Sequence, residues 1–98
     1  MVSYFVYILL GLKDKRLYVG CTSNLENRLA RHNSGGVPAT RLRRPLVLLR
    51  SEEFKDKSEA YSRERFLKSL WSARFKNKLK QEYLNKVGHQ QIYIRAKP

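Results

Sequence analysis

The stretch that most constrains the fold covers residues 4–33, because it has the pattern of two short strands followed by one helix. One apolar run spans residues 4–10, and a polar turn separates it from a second run at residues 17–19. Either Ser23 or Asn24 can cap the helix that follows, since a short side-chain oxygen there accepts a hydrogen bond from an unpaired backbone amide. The pattern predicts an antiparallel β-hairpin that leads into a helix.

This hairpin and helix are expected to bring four polar side chains toward one surface. Neighbouring antiparallel strands place their side chains close together on each face, so Tyr7 and Tyr18 are predicted to lie near each other. Arg28 and His32 are four residues apart and therefore share one face of the helix. The sequence thus predicts that two phenols, a guanidinium and an imidazole converge.

The charge of the chain indicates the class of its partner. The 98 residues suit one domain with a modest core, and 21 Lys and Arg against 8 Asp and Glu give a net charge of +13. Solubility needs only a few net charges, so this excess favours nucleic acid over an ordinary solvated surface, with an anionic membrane a weak third alternative. No stretch approaches the roughly 18 apolar residues of a spanning helix. Nor does the chain begin with a signal-peptide pattern, so a cytoplasmic protein is expected.

Basic residues are concentrated in a loop and in the last predicted helix. The loop at residues 34–45 is rich in Gly, Pro and Arg, and it is as consistent with phosphate contact as with incidental charge. The helix predicted over residues 73–86 has one apolar face, and its opposite basic face is suited to a phosphate backbone. The cations expected to contact nucleic acid are Arg16, Arg41, Arg43, Arg44, Arg74 and Lys78.

A third strand and a further helix complete the predicted core. The nearly unbroken apolar run at residues 46–49 predicts a strand covered on both faces. A helix is predicted over residues 57–70, capped by Ser58. Its expected buried stripe consists of Ala60, Leu67, Leu70 and Trp71. Glu64 falls inside that stripe, where a carboxylate is costly unless it is paired or bound to a cation. Periodicity alone slightly favours an ordinary Glu–Arg or Glu–Lys pair.

The cysteine and histidine content gives no sign of a structural metal. Cys21 is the single cysteine, which rules out an internal disulfide and a zinc site built from cysteines. The two histidines lie far apart, without ligand spacing. At the end of the chain, Gly88 is a stop signal for the last helix. Residues 88–98 are therefore predicted to be a tail or a short edge strand beyond a domain of residues 1–87.

The order of these motifs resembles the GIY-YIG endonuclease superfamily. The matching elements are Val6-Tyr7-Ile8, Leu17-Tyr18-Val19-Gly20, Arg28 and Glu64. In the small single-domain bacterial members, Arg28-x-x-x-His32-Asn33-x-Gly35 and Arg44-Pro45 also recur. The resemblance covers about residues 3–80. A lone Tyr-Val-Gly would mean little, whereas several elements in this order and spacing are specific.

The resemblance implies an α+β fold, a three-stranded antiparallel sheet flanked by helices. It also implies hydrolysis of a phosphodiester with one weakly bound Mg²⁺ or Mn²⁺, for which Glu64 is the metal ligand. Arg28 would bind the charge that grows on the phosphoryl oxygens. Tyr7 and Tyr18 would be the motif tyrosines, one of which orients or deprotonates water, and which one is left open. His32 would hold the phenol's proton or contact the phosphate.

Two departures from the family pattern affect this interpretation. Some family members place a lysine after the second motif glycine, where this chain has Cys21, so Lys13, Arg16 or His32 is expected to replace that charge. The late asparagine of the family is matched only approximately, by Asn77. No targeting module follows the predicted domain, so substrate choice is open and a protein partner is expected to supply it. The chain itself is expected to be a monomer.

The leading hypothesis is a metal-dependent DNA endonuclease that acts on damaged, branched or single-stranded substrate in repair or recombination. The alternative is a nucleic-acid-binding module of the same fold with little or no catalysis. The joint presence of Tyr7, Tyr18, Arg28 and Glu64 favours the enzyme. A small basic structural protein would explain the charge but gives no reason for this ordered set.

Overall fold

A computed structural model describes residues 2–96. In it, the apolar runs and short turns of the sequence become a mixed α and β fold. Its strands are β1 (Tyr4–Gly11), β2 (Leu17–Thr22) and β3 (Leu46–Phe54). Its helices are α1 (Leu25–Ser34), α2 (Lys57–Lys68) and α3 (Ala73–Ala96). Two 3-10 turns, Arg41–Arg43 and Leu70–Ser72, lie between them. No helix within residues 2–96 combines the length and hydropathy that a membrane-crossing segment needs.

The strands form one antiparallel sheet with β1 at its centre, in the order β2-β1-β3. The α+β class and the three-stranded antiparallel sheet predicted from the sequence are confirmed. Because side chains alternate along a strand, Val6 and Ile8 face α2, whereas Tyr7 and Leu9 face α1. Full burial of an aliphatic side chain contributes about 1.5–3 kcal/mol, so this central strand anchors helices on both faces.

Residues 46–49 lie in a strand, as predicted, but the prediction that both faces of this strand are covered is wrong. β3 is an edge strand, and the side chain of Leu48 is 41% exposed. An apolar run reports high hydrophobicity, but the position of a strand within the sheet depends on strand order, which the run does not encode. The strand buried on both faces is β1, where residues 6–11 are all buried.

Helix α2 begins at Lys57 as predicted, but its capping residue and its end differ from the prediction. Its cap is Asp56 rather than Ser58, because the Asp56 carboxylate accepts a hydrogen bond from the Ser58 amide at 2.8 Å. Ala60 and Leu67 are buried as predicted. Leu70 and Trp71 were predicted to be buried and instead are 92% and 88% exposed. The helix ends before them, and the 3-10 turn that follows rotates them off the buried stripe.

Helix α3 is longer than predicted, since it continues to Ala96 instead of ending near Lys86. A glycine inside a helix costs only about 1 kcal/mol relative to alanine, and it ends a helix only where it adopts a left-handed conformation. Gly88 is therefore not a stop, and the alternative of an edge strand at residues 91–95 is wrong. The domain boundary at residue 87 stays a prediction.

Candidate active site

The two motif tyrosines lie on the α1 face of the sheet, as predicted. Tyr7 is opposite Gly20 in the β1–β2 register, and Tyr18 is opposite Leu9. The Tyr7 and Tyr18 ring centroids are 6.3 Å apart. A Cβ atom at Gly20 would lie only 2.5 Å from Cζ of Tyr7, so the phenol ring lies directly across the glycine. The second motif therefore needs glycine because no other residue leaves room for the first motif's tyrosine.

We expect Gly20→Ala to lower the free energy of unfolding by about 1–3 kcal/mol, the usual cost of forcing extra atoms into a packed core. Gly36→Ala is the matched control, because a Cβ there would meet its nearest neighbour at 3.4 Å, an ordinary contact. Urea denaturation of both variants measures the difference. Equal midpoints for the two variants would contradict the close packing of Tyr7 on Gly20.

A buried hydrogen-bond network begins at Tyr7 and runs inward through His32 to Thr40. The Tyr7 hydroxyl oxygen and Nε2 of His32 are 3.0 Å apart, and Nδ1 of His32 is 2.8 Å from the hydroxyl oxygen of Thr40. All three residues are fully buried. Thr40 was not predicted, because it comes from the Gly- and Pro-rich loop, where no periodicity marks a buried position. The hydrogen-bond network therefore holds the His32 imidazole at both of its nitrogens.

Burial keeps the two titratable side chains of this network, Tyr7 and His32, neutral. Desolvation, followed by the nearby Tyr18, raises the pKa of Tyr7 to about 12, although the Arg28 guanidinium opposes the rise. Desolvation also lowers the pKa of His32, and the positive charges of Arg28 and Arg31 lower it further. At neutral pH, Tyr7 is therefore a phenol and His32 is an uncharged imidazole.

Of the two motif tyrosines, Tyr18 is the one that reaches the surface. Its side chain is half-buried, whereas Tyr7 is completely enclosed. The Tyr18 ring meets the edge of the His32 ring, with centroids 5.0 Å apart. The buried hydrogen-bond network therefore supports Tyr18 from beneath.

The lowered pKa of His32 makes stability depend on pH. Below about 6.5, the ordinary pKa of histidine, the unfolded chain binds a proton that folded His32 excludes. The free energy of unfolding is therefore expected to fall as pH decreases from about 7 to 5, and to be fully retained above that window. Urea denaturation across this range tests the effect. His32→Gln is expected to flatten the slope, with His89→Gln as the control for loss of a histidine. A slope that persists in His32→Gln would exclude His32 as its source.

Glu64 approaches this region from the other face of the sheet, on α2. Its carboxylate is 3.0 Å from Nζ of Lys68, one turn along the helix, and its side chain is 20% exposed. Arg63, the other candidate partner, instead binds Glu52 of β3 at 2.7 Å. The ordinary Glu–Lys pair considered from periodicity is therefore present. It does not exclude a second role, because an exposed i,i+4 pair contributes only about 0.3–0.5 kcal/mol.

Side chains of α1 and α2 line neighbouring pockets near the end of β2. Glu64 lines an open pocket of about 330 Å³ together with Tyr61, Arg65 and Lys68. A second pocket of about 230 Å³ is lined by Arg28 of α1, by Lys57 and Tyr61 of α2, by Tyr4 of β1 and by residues 21–23 at the end of β2. Tyr61 is common to both pockets. Arg28 and Glu64 thus line adjoining parts of one surface.

The cations near Cys21 differ from those expected. Burial, and then the Glu64 carboxylate, raise the pKa of the Cys21 thiol, while the charges that oppose the rise come from Arg28, Lys57 and Lys68. Lys13 and Arg16 belong to the β1–β2 turn, and five residues of extended chain, about 16 Å, separate Arg16 from Cys21. His32 packs on the opposite face of the sheet. The expectation that one of these three supplies the missing charge is therefore not met.

The donor set at Glu64 suits a hydrated divalent cation. No group of three or more His, Cys, Asp or Glu side chains that could enclose a metal is present within the described part of the chain. Mg²⁺ commonly binds through one or two carboxylates and keeps several waters, which an open pocket permits. Glu64 fits such an ion if its carboxylate exchanges Lys68 for the metal.

The basic residues predicted to contact nucleic acid fall into two groups. Arg43 donates to Asp14 at 2.8 Å and to the Leu17 carbonyl at 3.2 Å, so it braces the hairpin turn. The remaining cations of the predicted set are exposed, namely Arg16, Arg41, Arg44, Arg74 and Lys78. Their contact with nucleic acid stays a prediction.

Comparison with known proteins places this geometry in context. Residues 3–81 match the family model described as "GIY-YIG catalytic domain". The chain is 46% identical over 71 residues to the UPF0213 protein SH2523 of Staphylococcus haemolyticus, covering 71% of this chain and 85% of that one. It is 40% identical over 97 residues to the UPF0213 protein RBAM_000440 of Bacillus velezensis, covering 96% and 92%. The solution NMR structure of the UPF0213 protein BH0048 from Bacillus halodurans is similar, with a TM-score of 0.50 and 38% identity, covering 79% of this chain and 81% of that one.

Proposed function

This chain belongs to the GIY-YIG nuclease family, and on that premise we propose that it is a divalent-metal-dependent endonuclease that hydrolyses DNA phosphodiester bonds. The observation that carries the proposal is the placement of Arg28 and Glu64 in adjoining pockets that share Tyr61. A guanidinium and an available carboxylate on one surface suit a phosphate and its metal ion. The net charge of +13 supports a polyanionic substrate.

Three side chains would act at the reacting phosphate. Arg28 carries a planar fork of donors that can bind two phosphoryl oxygens as negative charge develops on them. Tyr18, the more accessible of the two motif tyrosines, would orient the attacking water through its hydroxyl. Glu64 would hold the Mg²⁺ or Mn²⁺, which when bound neutralises charge on the scissile phosphate and the leaving oxygen.

The buried residues would position these groups. Tyr7, His32 and Thr40 are held to one another by hydrogen bonds and exclude water from beneath Tyr18. Tyr7 also lies near Arg28, whose positive charge opposes the rise in the Tyr7 pKa that burial and Tyr18 cause. A network whose members are all satisfied holds its neighbours in one geometry, which favours the electrostatic stabilisation of a transition state.

The substrate we propose is branched, damaged or single-stranded DNA, as arises in repair and recombination. The test is incubation of the purified protein with supercoiled plasmid and with branched and single-stranded oligonucleotides, in Mg²⁺, in Mn²⁺ and in chelator. Metal-dependent cleavage that is lost in Glu64→Ala and Arg28→Ala would support the enzyme and exclude a contaminating nuclease. Binding without cleavage in every condition would instead favour the alternative, a nucleic-acid-binding module of the same fold.

A further inference from the structure

The turn between α2 and α3 presents two large apolar side chains to solvent. Leu70 and Trp71 are 92% and 88% exposed, the highest values among the exposed large hydrophobic residues of the described chain. Tryptophan is highly buried on average in folded proteins. An almost fully exposed tryptophan next to an exposed leucine therefore needs an explanation.

This exposure is built into the turn. Ser72 is fully buried, and its hydroxyl oxygen lies 2.9 Å from the carbonyl oxygens of both Leu67 and Ser69. The Ser69 hydroxyl and amide donate to the Phe66 carbonyl, at 2.5 and 3.0 Å. The two serines anchor the turn on each side of Leu70 and Trp71. The apolar pair is thus held outward by hydrogen bonds.

The charge around this tip is entirely positive in sequence. Between Glu64 and Glu82 the chain has no acidic residue and six basic ones: Arg65, Lys68, Arg74, Lys76, Lys78 and Lys80. The cores of protein–protein interfaces are depleted in lysine, whereas sites for single-stranded nucleic acid combine a cationic surface with aromatic side chains on which bases stack. The surroundings of Trp71 match the second kind of site.

The tip also follows closely in sequence after Glu64, the proposed metal ligand. Four helical residues, about 6 Å of rise, lead from Glu64 to the end of α2 at Lys68, and Trp71 is three residues farther along, in the turn. Arg65 and Lys68, which line the Glu64 pocket, lie between the two.

We propose that Trp71, with Leu70 beside it, stacks on an unpaired base a few nucleotides from the scissile phosphate. The substrate class is then DNA with unstacked bases, such as a flap, a gap or a branch point, rather than continuous duplex. The inference rests on the proposed function only for the position of the scissile phosphate. The stacking itself is a matter of binding, so it can be measured without cleavage.

Trp71 is the only tryptophan of the chain, so intrinsic fluorescence reports on this site alone. The test uses the Glu64→Gln protein in chelator, titrated with oligothymidylate and with a blunt duplex of equal length. We expect the single strand to quench Trp71 emission and the duplex to leave it nearly unchanged. Equal quenching by both, or quenching by neither, would overturn the proposal.

Variants measure how much the stacking contributes to affinity. Trp71→Ala is expected to weaken binding of the labelled single strand by about 5- to 150-fold, the range for loss of one stacked base. Trp71→Phe is expected to retain most of the affinity. Val2→Ala, at a site 59% exposed, is the control for loss of an exposed apolar side chain.

Two results would contradict the stacking role. The first is that the Trp71→Ala protein binds single strands with the affinity of the wild type. The other is a dimer, detected by sedimentation, that Trp71→Ala dissociates, since the tip would then be a self-association surface. If the proposed function itself is wrong, the result is different. Metal-dependent cleavage is then absent, whereas the single-strand affinity and its dependence on Trp71 remain.

Discussion

Glu64→Gln is expected to lower the rate of DNA cleavage by about 10³-fold, the scale of a metal contribution of several kcal/mol to the transition state. Glutamine keeps the shape of the side chain but removes the charge that would bind a divalent ion. The fold should persist, because the lost pair with Lys68 is exposed on one side and contributes little. DNA affinity should also persist, since the change removes a negative charge. Single-turnover cleavage in Mg²⁺ and binding in chelator measure the two effects.

The matched control is Glu59→Gln, an exposed carboxylate in the first turn of the same helix. It makes the same chemical change at a site away from the Glu64 pocket. We expect Glu59→Gln to cleave at the wild-type rate. If Glu64→Gln cleaves as fast as Glu59→Gln, the metal role of Glu64 is excluded.

Arg28→Lys is expected to lower the cleavage rate by about 10²–10³-fold, the cost of losing one oxyanion-stabilising donor. The substitution keeps the positive charge, so it tests geometry rather than charge. An ammonium is a point charge and cannot place two parallel donors on a phosphate, as a guanidinium can. The same single-turnover assay measures the loss, and thermal melting checks that the protein remains folded.

Arg31→Lys serves as the control for this second variant, because Arg31 is on the same helix and exposed. We expect it to cleave within a small factor of the wild type. Comparable rates for the two lysine variants would show that α1 supplies only general positive charge at this position.

Local patterns predicted the parts of the site that depend on local geometry. A short turn and a period of two residues placed Tyr7 beside Tyr18, and the rings do lie 6.3 Å apart. Glu64 stood out because it interrupts an apolar stripe of period 3.6, and its partner Lys68 is one helical turn away. Interactions within one element, or across one hairpin, follow from spacing alone.

The failures came where the answer depends on more distant parts of the chain. Leu48 is exposed because β3 lies at the edge of the sheet, and an apolar run does not specify strand order. Trp71 is exposed because a 3-10 turn begins after α2, which changes the helical period. Thr40 comes from an irregular loop and becomes buried only when that loop closes on His32. At Trp71 the helical period was extrapolated past the true end of α2, and at Leu48 and Thr40 no periodic signal indicates the degree of burial.

Gly20 leaves a gap where other residues have a side chain, and the ring of Tyr7 fills it. Tyr7 crosses the missing side chain on one face, and the neighbouring Cys21 faces α2 on the other. Replacing a glycine commonly stabilises a protein by restricting its unfolded chain, where the native backbone allows it. That route is closed here, since any added side chain would collide with the ring of Tyr7. Core packing and the geometry of the site therefore both require glycine at this one position.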